Sequence, residues 1–118
     1  MYIGLDIGGT KCAAVLGVAN EEFEIVEKIS FATAGKTPEQ ILNIFSDFIA
    51  QQKTKHTIEG IGIACGGPLD SKKGIIKKPP SLPLWDDIKI VKYLLYFYLA
   101  ISKEILYFAL SKRNKLLK

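Results

Sequence analysis

The residues best suited to chemistry in this sequence lie together near its start, Asp6-Ile7-Gly8-Gly9-Thr10-Lys11, between two apolar runs. A carboxylate such as Asp6 at the end of a buried run is costly unless it has partners. Gly8 and Gly9 let the backbone take conformations that bulkier residues resist, and let a ligand come close to it. Successive backbone N–H groups in such a turn form a concave anion site. Thr10 adds a hydroxyl donor and Lys11 a positive charge. Asp6 is suited to holding a magnesium ion through water, because Mg²⁺ prefers oxygen ligands and keeps several waters. These groups together suit the outer phosphates of a nucleotide. The plainer alternative is a Gly-Gly hairpin whose turn is capped by an aspartate. Neither the P-loop lysine pattern nor the Rossmann glycine pattern is present.

Other chemistry is sparse. Cys12 and Cys65 read as free thiols in a reducing compartment. With His56 as the one histidine and no paired cysteine spacing, a zinc site has no ligand set. His56 itself lies in a polar stretch and reads as a solvated surface residue. A second glycine cluster, Cys65-Gly66-Gly67-Pro68-Leu69-Asp70, forms a turn after an apolar run, and Gly74 follows shortly after.

The elements that must position these residues follow from periodicity. Residues 2–7 and 11–18 are apolar runs around the Gly-Gly and read as a hairpin. Asn20-Glu21-Glu22 is a polar turn. Residues 23–31 alternate and predict a third strand with one face in water; the Ile25-Val26 step predicts a bulge or an edge irregularity. Thr37 is placed to cap a helix with Pro38 at its first position and Glu39 in its first turn. Ile41, Leu42, Ile44, Phe45, Phe48 and Ile49 recur at helical spacing, so the helix spans 38–52 with one core face. Residues 53–57 form a polar connection and 58–64 a fourth strand. Gly74-Ile75-Ile76 is a short strand candidate. Pro79, Pro80 and Pro83 make 77–85 an extended loop. Asp86-Asp87 precedes a second helix over about 88–110. Strands first, then helix, strand and helix, predict an α/β layer whose sheet joins an antiparallel meander to a parallel crossover.

The 118 residues, 48% hydrophobic and 24% charged, are those of about one folded domain. Disorder, a collagen-like repeat and a disulfide scaffold are excluded. Net charge is +4, but residues 1–87 carry −2 and residues 88–118 carry +6. The basic excess belongs to the C-terminal quarter and gives no case for nucleic-acid binding by the whole domain. Asp6 and Lys11 interrupt the opening apolar residues, so no secretory leader is expected and the cytoplasm is the expected location. Residues 93–101 are apolar on every helical face, which predicts burial or a membrane. That run is too short to span a bilayer, which needs about 20 residues. The expectation is a helix laid on a domain face or used for self-association, with adsorption to an anionic membrane surface as the lesser alternative.

Ile3-Gly4-Leu5-Asp6-Ile7-Gly8-Gly9-Thr10-Lys11 resembles the first phosphate motif of the ROK family of sugar kinases and related repressors. Gly60-Ile61-Gly62-Ile63-Ala64-Cys65-Gly66-Gly67-Pro68-Leu69-Asp70 resembles the strand and turn that in the family reach the sugar. Pro80-Ser81-Leu82-Pro83-Leu84-Trp85 is similar to the family's Pro-Asn-Leu-Pro-Gly-Trp loop, with Ser81 in place of Asn and Leu84 in place of Gly. The resemblance implies the N-terminal domain of a ribonuclease-H-like, actin-like ATPase fold, with a mixed sheet and flanking helices, over residues 1–92. Residues 93–118 form a divergent apolar and basic helical tail.

It further implies phosphate and ATP contact by Asp6, Gly8, Gly9, Thr10 and Lys11, magnesium at Asp6, and hexose contact by Gly66, Gly67 and Ser81. The family's reaction moves the ATP γ-phosphate to a hexose hydroxyl, with a glucose-like substrate expected here. Its catalytic base is the Asp of an Asn-Asp pair, and no such pair follows Trp85. No catalytic residue is therefore assigned, and the chain alone is expected to be inactive. The alternatives are a ROK-type transcriptional regulator lacking its DNA-binding domain and a non-catalytic interaction remnant.

Overall fold

The structure is a computed structural model that describes residues 1–65, 69–70, 72–77 and 82–99. Its chain order is β1 (Tyr2–Ile7), β2 (Lys11–Ala19), β3 (Phe23–Ala32), α1 (Pro38–Lys55), β4 (Gly60–Cys65), β5 (Leu69–Asp70), β6 (Ile75–Lys77), β7 (Asp86–Ile88) and α2 (Ile90–Leu99). The main sheet has the order β3-β2-β1-β4, with β1 antiparallel to β2 and parallel to β4. This is the expected meander plus crossover, with α1 as the crossover helix. The small strands β5, β6 and β7 form a second, antiparallel sheet.

Strand alternation decides what each face carries. Ile3, Leu5 and Ile7 of β1 point to one side, in register with Leu16, Ala14 and Cys12 of β2 and with Ile61, Ile63 and Cys65 of β4. All are buried. The core face of α1, Ile41, Leu42, Phe45, Phe48 and Ile49, belongs to the same cluster. Burying each of these large side chains contributes roughly 1.5–3 kcal/mol. The Phe31 ring reaches the Phe45 ring at 5.8 Å between centroids, in a tilted arrangement.

Strand β3 lies at the sheet edge, and Phe23, Ile25 and Val26 are more than half exposed. The predicted irregularity is real. Leu16 pairs with Glu27 and Gly17 with Ile25, so Val26 is an extra residue in the edge strand.

Helix α1 starts where Thr37 predicts. The Thr37 Oγ1 accepts from the Gln40 N–H at 3.2 Å, and Gln40 Oε1 accepts from the Thr37 N–H at 2.8 Å, closing a capping box. The helix runs to Lys55 rather than fading at Gln52, and Gln52 is itself buried, donating through Nε2 to Glu27 Oε2 of the edge strand. Packing of that last turn outweighs its polar composition.

Strand β4 begins at Gly60, two residues later than predicted. Ile58 is buried before it, and the Glu59 N–H donates to the Met1 carbonyl at 2.8 Å. Asp86-Asp87 precedes a helix as expected, but the pair itself is not a simple helix entry. These residues form β7, and α2 starts at Ile90. Asp87 has φ 56° and accepts from Lys77 Nζ at 2.9 Å, which holds its carboxyl below the usual carboxylate range. The cross-strand partner stabilises a strand there that the two carboxylates argue against.

Leu82, Trp85, Ile90 and Leu94 all enter the core. Helix α2 therefore packs beside α1, and the Tyr93 hydroxyl donates to Asn43 Oδ1 at 2.6 Å. Burial, aided by the charges of Glu39 and Asp47, raises the Tyr93 pKa above its ordinary value. No helix among the described residues is long and apolar enough to cross a membrane. The helix predicted over 88–110 is described to Leu99, and the remainder of that prediction lies outside the described residues.

Candidate functional site

The β1–β2 connection is Gly8-Gly9-Thr10, at the end of the sheet where Ile7 stands opposite both Cys12 and Cys65. Burial falls steadily along it: Gly8 is buried, Gly9 is half-buried, and Thr10 and Lys11 are exposed. The turn is therefore rooted in the fold and opens to water on its far side. Among the described residues the glycines with positive φ are Gly35 and Gly74, so this turn does not rest on a left-handed glycine.

Asp6 lies on the sheet face opposite the α1 core, half-buried, with its Oδ1 out of water. It stands in register between Ala13 of β2 and Ala64 of β4. Both of these neighbours carry only a methyl side chain. Lys11 lies on β2 two residues before Ala13 and so shares the Asp6 face. The five predicted residues Asp6, Gly8, Gly9, Thr10 and Lys11 thus form one local constellation at one end of the sheet. Gly66, Gly67 and Ser81 lie outside the described residues. Cys65 and Leu82, next to them in sequence, are both buried, which anchors the described chain on either side.

A magnesium site at Asp6 would use one carboxylate. Among the described residues no group of three or more His, Cys, Asp or Glu side chains gathers to hold a metal.

The support behind the turn was not expected from the sequence. Thr33, just past β3, donates its hydroxyl to the Gly8 carbonyl at 2.6 Å, and its N–H to the Thr10 carbonyl at 3.0 Å. Cys12 Sγ lies 3.3 Å from Thr33 Oγ1 and 3.9 Å from the Gly8 carbonyl. Cys12 is fully buried, so its thiol is part of this packing and not a surface group. The signal in the sequence is slight: a threonine two residues beyond the predicted third strand.

A meander-plus-crossover sheet with a glycine turn and an aspartate at its end defines a mixed α/β domain, and its likeness to solved ROK kinases makes the fold that of the actin-like ATPases. The ROK family model matches residues 2–101, and the chain belongs to the ROK family. It is 32% identical over 82 residues to a glucokinase of Streptomyces coelicolor, covering 70% of this chain and 25% of that enzyme. Among solved structures it is similar to a ROK family glucokinase of Streptomyces griseus in complex with glucose and AMPPNP, with TM-score 0.69 and 28% identity over 94% of this chain and 32% of that one. It is also similar to the ROK hexokinase of Thermus thermophilus, with TM-score 0.68 and 26% identity over 92% of this chain and 34% of that one. The chain thus spans between a quarter and about a third of the length of these three relatives.

Proposed function

We propose that this chain is the phosphate-binding N-terminal part of a ROK-type sugar kinase, whose reaction transfers the ATP γ-phosphate to a glucose-like hexose. The observation that carries this reading is the Asp6–Lys11 constellation: a buried, pinned Gly8, an open Thr10 and Lys11, and a half-buried carboxylate on the same sheet face as Lys11. Backbone N–H groups, the Thr10 hydroxyl and the Lys11 ammonium would meet the outer phosphates, and Asp6 would hold magnesium through water. Gly66, Gly67 and Ser81 would contact the sugar. The glucokinase and hexokinase relatives support the substrate class, and the glucose and AMPPNP bound to the Streptomyces griseus protein support both ligands.

In this reading residues 1–92 are the ROK-type unit and 93–118 a divergent extension that begins with Tyr93 and Leu94 packed on the domain and serves self-association beyond them. The residues after Trp85 contain no Asn-Asp pair to supply the general base. General acid–base catalysis is worth roughly 10²–10⁴-fold, so the chain alone is expected to hold ligand without turning it over.

The test is an NMR titration with Mg-ATP. Shifts confined to residues 6–11, with a Kd on the order of millimolar, are expected, because the turn is local and an open cleft weakens every charge contact in it. GTP should bind about as well as ATP, and Gly9→Val should abolish binding. No shift at several millimolar Mg-ATP would refute the phosphate reading, and glucose phosphorylation at about 1–100 s⁻¹ in a coupled assay would refute the expected inactivity of the chain alone.

A further inference from the structure

The hydrogen bonds behind the turn have a directional consequence. Thr33 Oγ1 carries one proton, and the 2.6 Å contact to the Gly8 carbonyl takes it. Toward Cys12 Sγ at 3.3 Å, Thr33 Oγ1 can then only accept, and the thiol proton is shared between that oxygen and the Gly8 carbonyl at 3.9 Å. The result is a buried cluster in which Thr33 donates to the Gly8 carbonyl and the Cys12 thiol backs both oxygens. The Thr33 N–H adds a second hold, on the Thr10 carbonyl at 3.0 Å. One residue thus grips the turn on both sides of Gly9.

A trans peptide unit sets its C=O and N–H in opposite directions. Gly8 C=O and Gly9 N–H belong to one such unit. With the Gly8 carbonyl drawn toward Thr33 and Cys12, the Gly9 N–H must face away from them. Cys12 points to the α1 side of the sheet and Asp6 to the other side. We infer that Thr33 is a positioning residue: it holds the Gly8–Gly9 peptide so that the Gly9 N–H faces the Asp6 side, where an anion would bind. This role rests on the phosphate reading of the turn. It assigns to a residue 25 positions from Gly8 the orientation of a donor that it does not itself contribute.

The alternative is that Thr33 merely satisfies a buried carbonyl. The two differ in what a variant changes. Thr33→Val keeps the shape and removes the hydroxyl; Thr33→Ser keeps the hydroxyl and removes a methyl. The probe is inorganic tripolyphosphate with magnesium, added to the full chain and followed through the amide signals of Gly8, Gly9 and Thr10. Loss of a bond of this kind leaves the peptide free to rotate, and a roughly 5–10-fold weaker affinity is expected for Thr33→Val, with Thr33→Ser within about twofold of wild type. The Gly9 amide should also shift in ligand-free Thr33→Val while amides of α1 stay in place. Should the valine variant fail to fold, Thr33→Ala, which leaves space for a water at the Gly8 carbonyl, carries the same comparison. Wild-type affinity and an unmoved Gly9 amide in the hydroxyl-free variant would overturn the positioning role alone. A wild-type chain that shows no shifts with tripolyphosphate would remove the phosphate reading, and the role with it.

Discussion

Three glycines separate two physical costs that are usually confounded. Gly35 has φ +78° and nothing within 4 Å of where a Cβ would sit. Gly17 has no positive φ, but a Cβ there would meet the Phe23 ring at 2.1 Å. Gly74 has both problems: φ +68°, and Val91 Cβ and Cγ2 each 2.5 Å from a built Cβ. An L side chain in the left-handed region costs about 1–2 kcal/mol. Forcing a methyl into packed atoms costs about 1–3 kcal/mol when the neighbour cannot move. Against both stands a gain of about 0.4–1 kcal/mol from restricting the unfolded chain.

Gly35→Ala therefore isolates the backbone cost and should destabilise by about 1 kcal/mol. Gly17→Ala meets only the far end of a side chain that is 54% exposed and free to swing aside, so it should be neutral within about 0.5 kcal/mol. Gly74→Ala adds the two costs. Val91 cannot yield, because its N–H bonds the Gly74 carbonyl at 3.3 Å in the first turn of α2. A loss of about 2–4 kcal/mol is expected. Val91→Ala should rescue little of it, since the Cβ it retains is one of the clashing atoms.

Urea unfolding followed by the fluorescence of Trp85, the one tryptophan and a buried one, reports all three. With a slope of about 1–3 kcal/mol/M, Gly74→Ala should lower the midpoint by about 1–2 M. A midpoint within about 0.3 M of wild type for Gly74→Ala, or a larger loss for Gly17→Ala than for Gly35→Ala, would refute the reasoning.

Two further variants test the helices that flank the sheet. Thr37→Ala removes the side-chain acceptor of the capping box and should cost about 1 kcal/mol in the same urea experiment, a loss that Thr37→Ser should largely restore. Tyr93→Phe removes the bond to Asn43 and should cost about 0.5–1.5 kcal/mol at neutral pH. Because the Tyr93 pKa is raised in the folded chain, its contribution is fully present below pH 10 and is lost as pH rises through the folded value. The stability gap between wild type and Tyr93→Phe should therefore shrink above pH 10; a gap that widens there would contradict the assigned environment.

What the sequence made legible tracks how local each determinant is. β1, β2 and β3 are readable because alternation and the Gly-Gly turn are consecutive features, and even the bulge at Val26 shows as two adjacent apolar residues in an alternating strand. The start of α1 is readable because Thr37 and Pro38 sit side by side. β7 is not, because two adjacent aspartates disfavour a strand on their own; its cross-strand neighbour Lys77, ten positions back, shows only once the chain is folded. The last turn of α1 is hidden for the same reason: Gln52 is held by Glu27 on another strand, and its own neighbours are polar.

The candidate site divides along the same line. Its groups that would face a ligand, Asp6 to Lys11, form one short run, so their types and spacing are visible at once. The groups that fix their geometry are distant in sequence. Thr33 reaches Gly8 only because the antiparallel register of β2 and β3 brings Ala32 opposite Lys11 and so delivers the next residue to the turn. A one-residue slip in that register would turn the side chains of β3 to the opposite face. The extra residue at Val26 lies further along the same ladder, and such a bulge changes the register beyond it without disturbing the pairing on the Thr33 side. The edge strand can therefore vary at its exposed Phe23 end while the end that holds the turn keeps its register. The geometry of the turn thus depends on the pairing of β3, a strand that contributes no residue to the Asp6–Lys11 run.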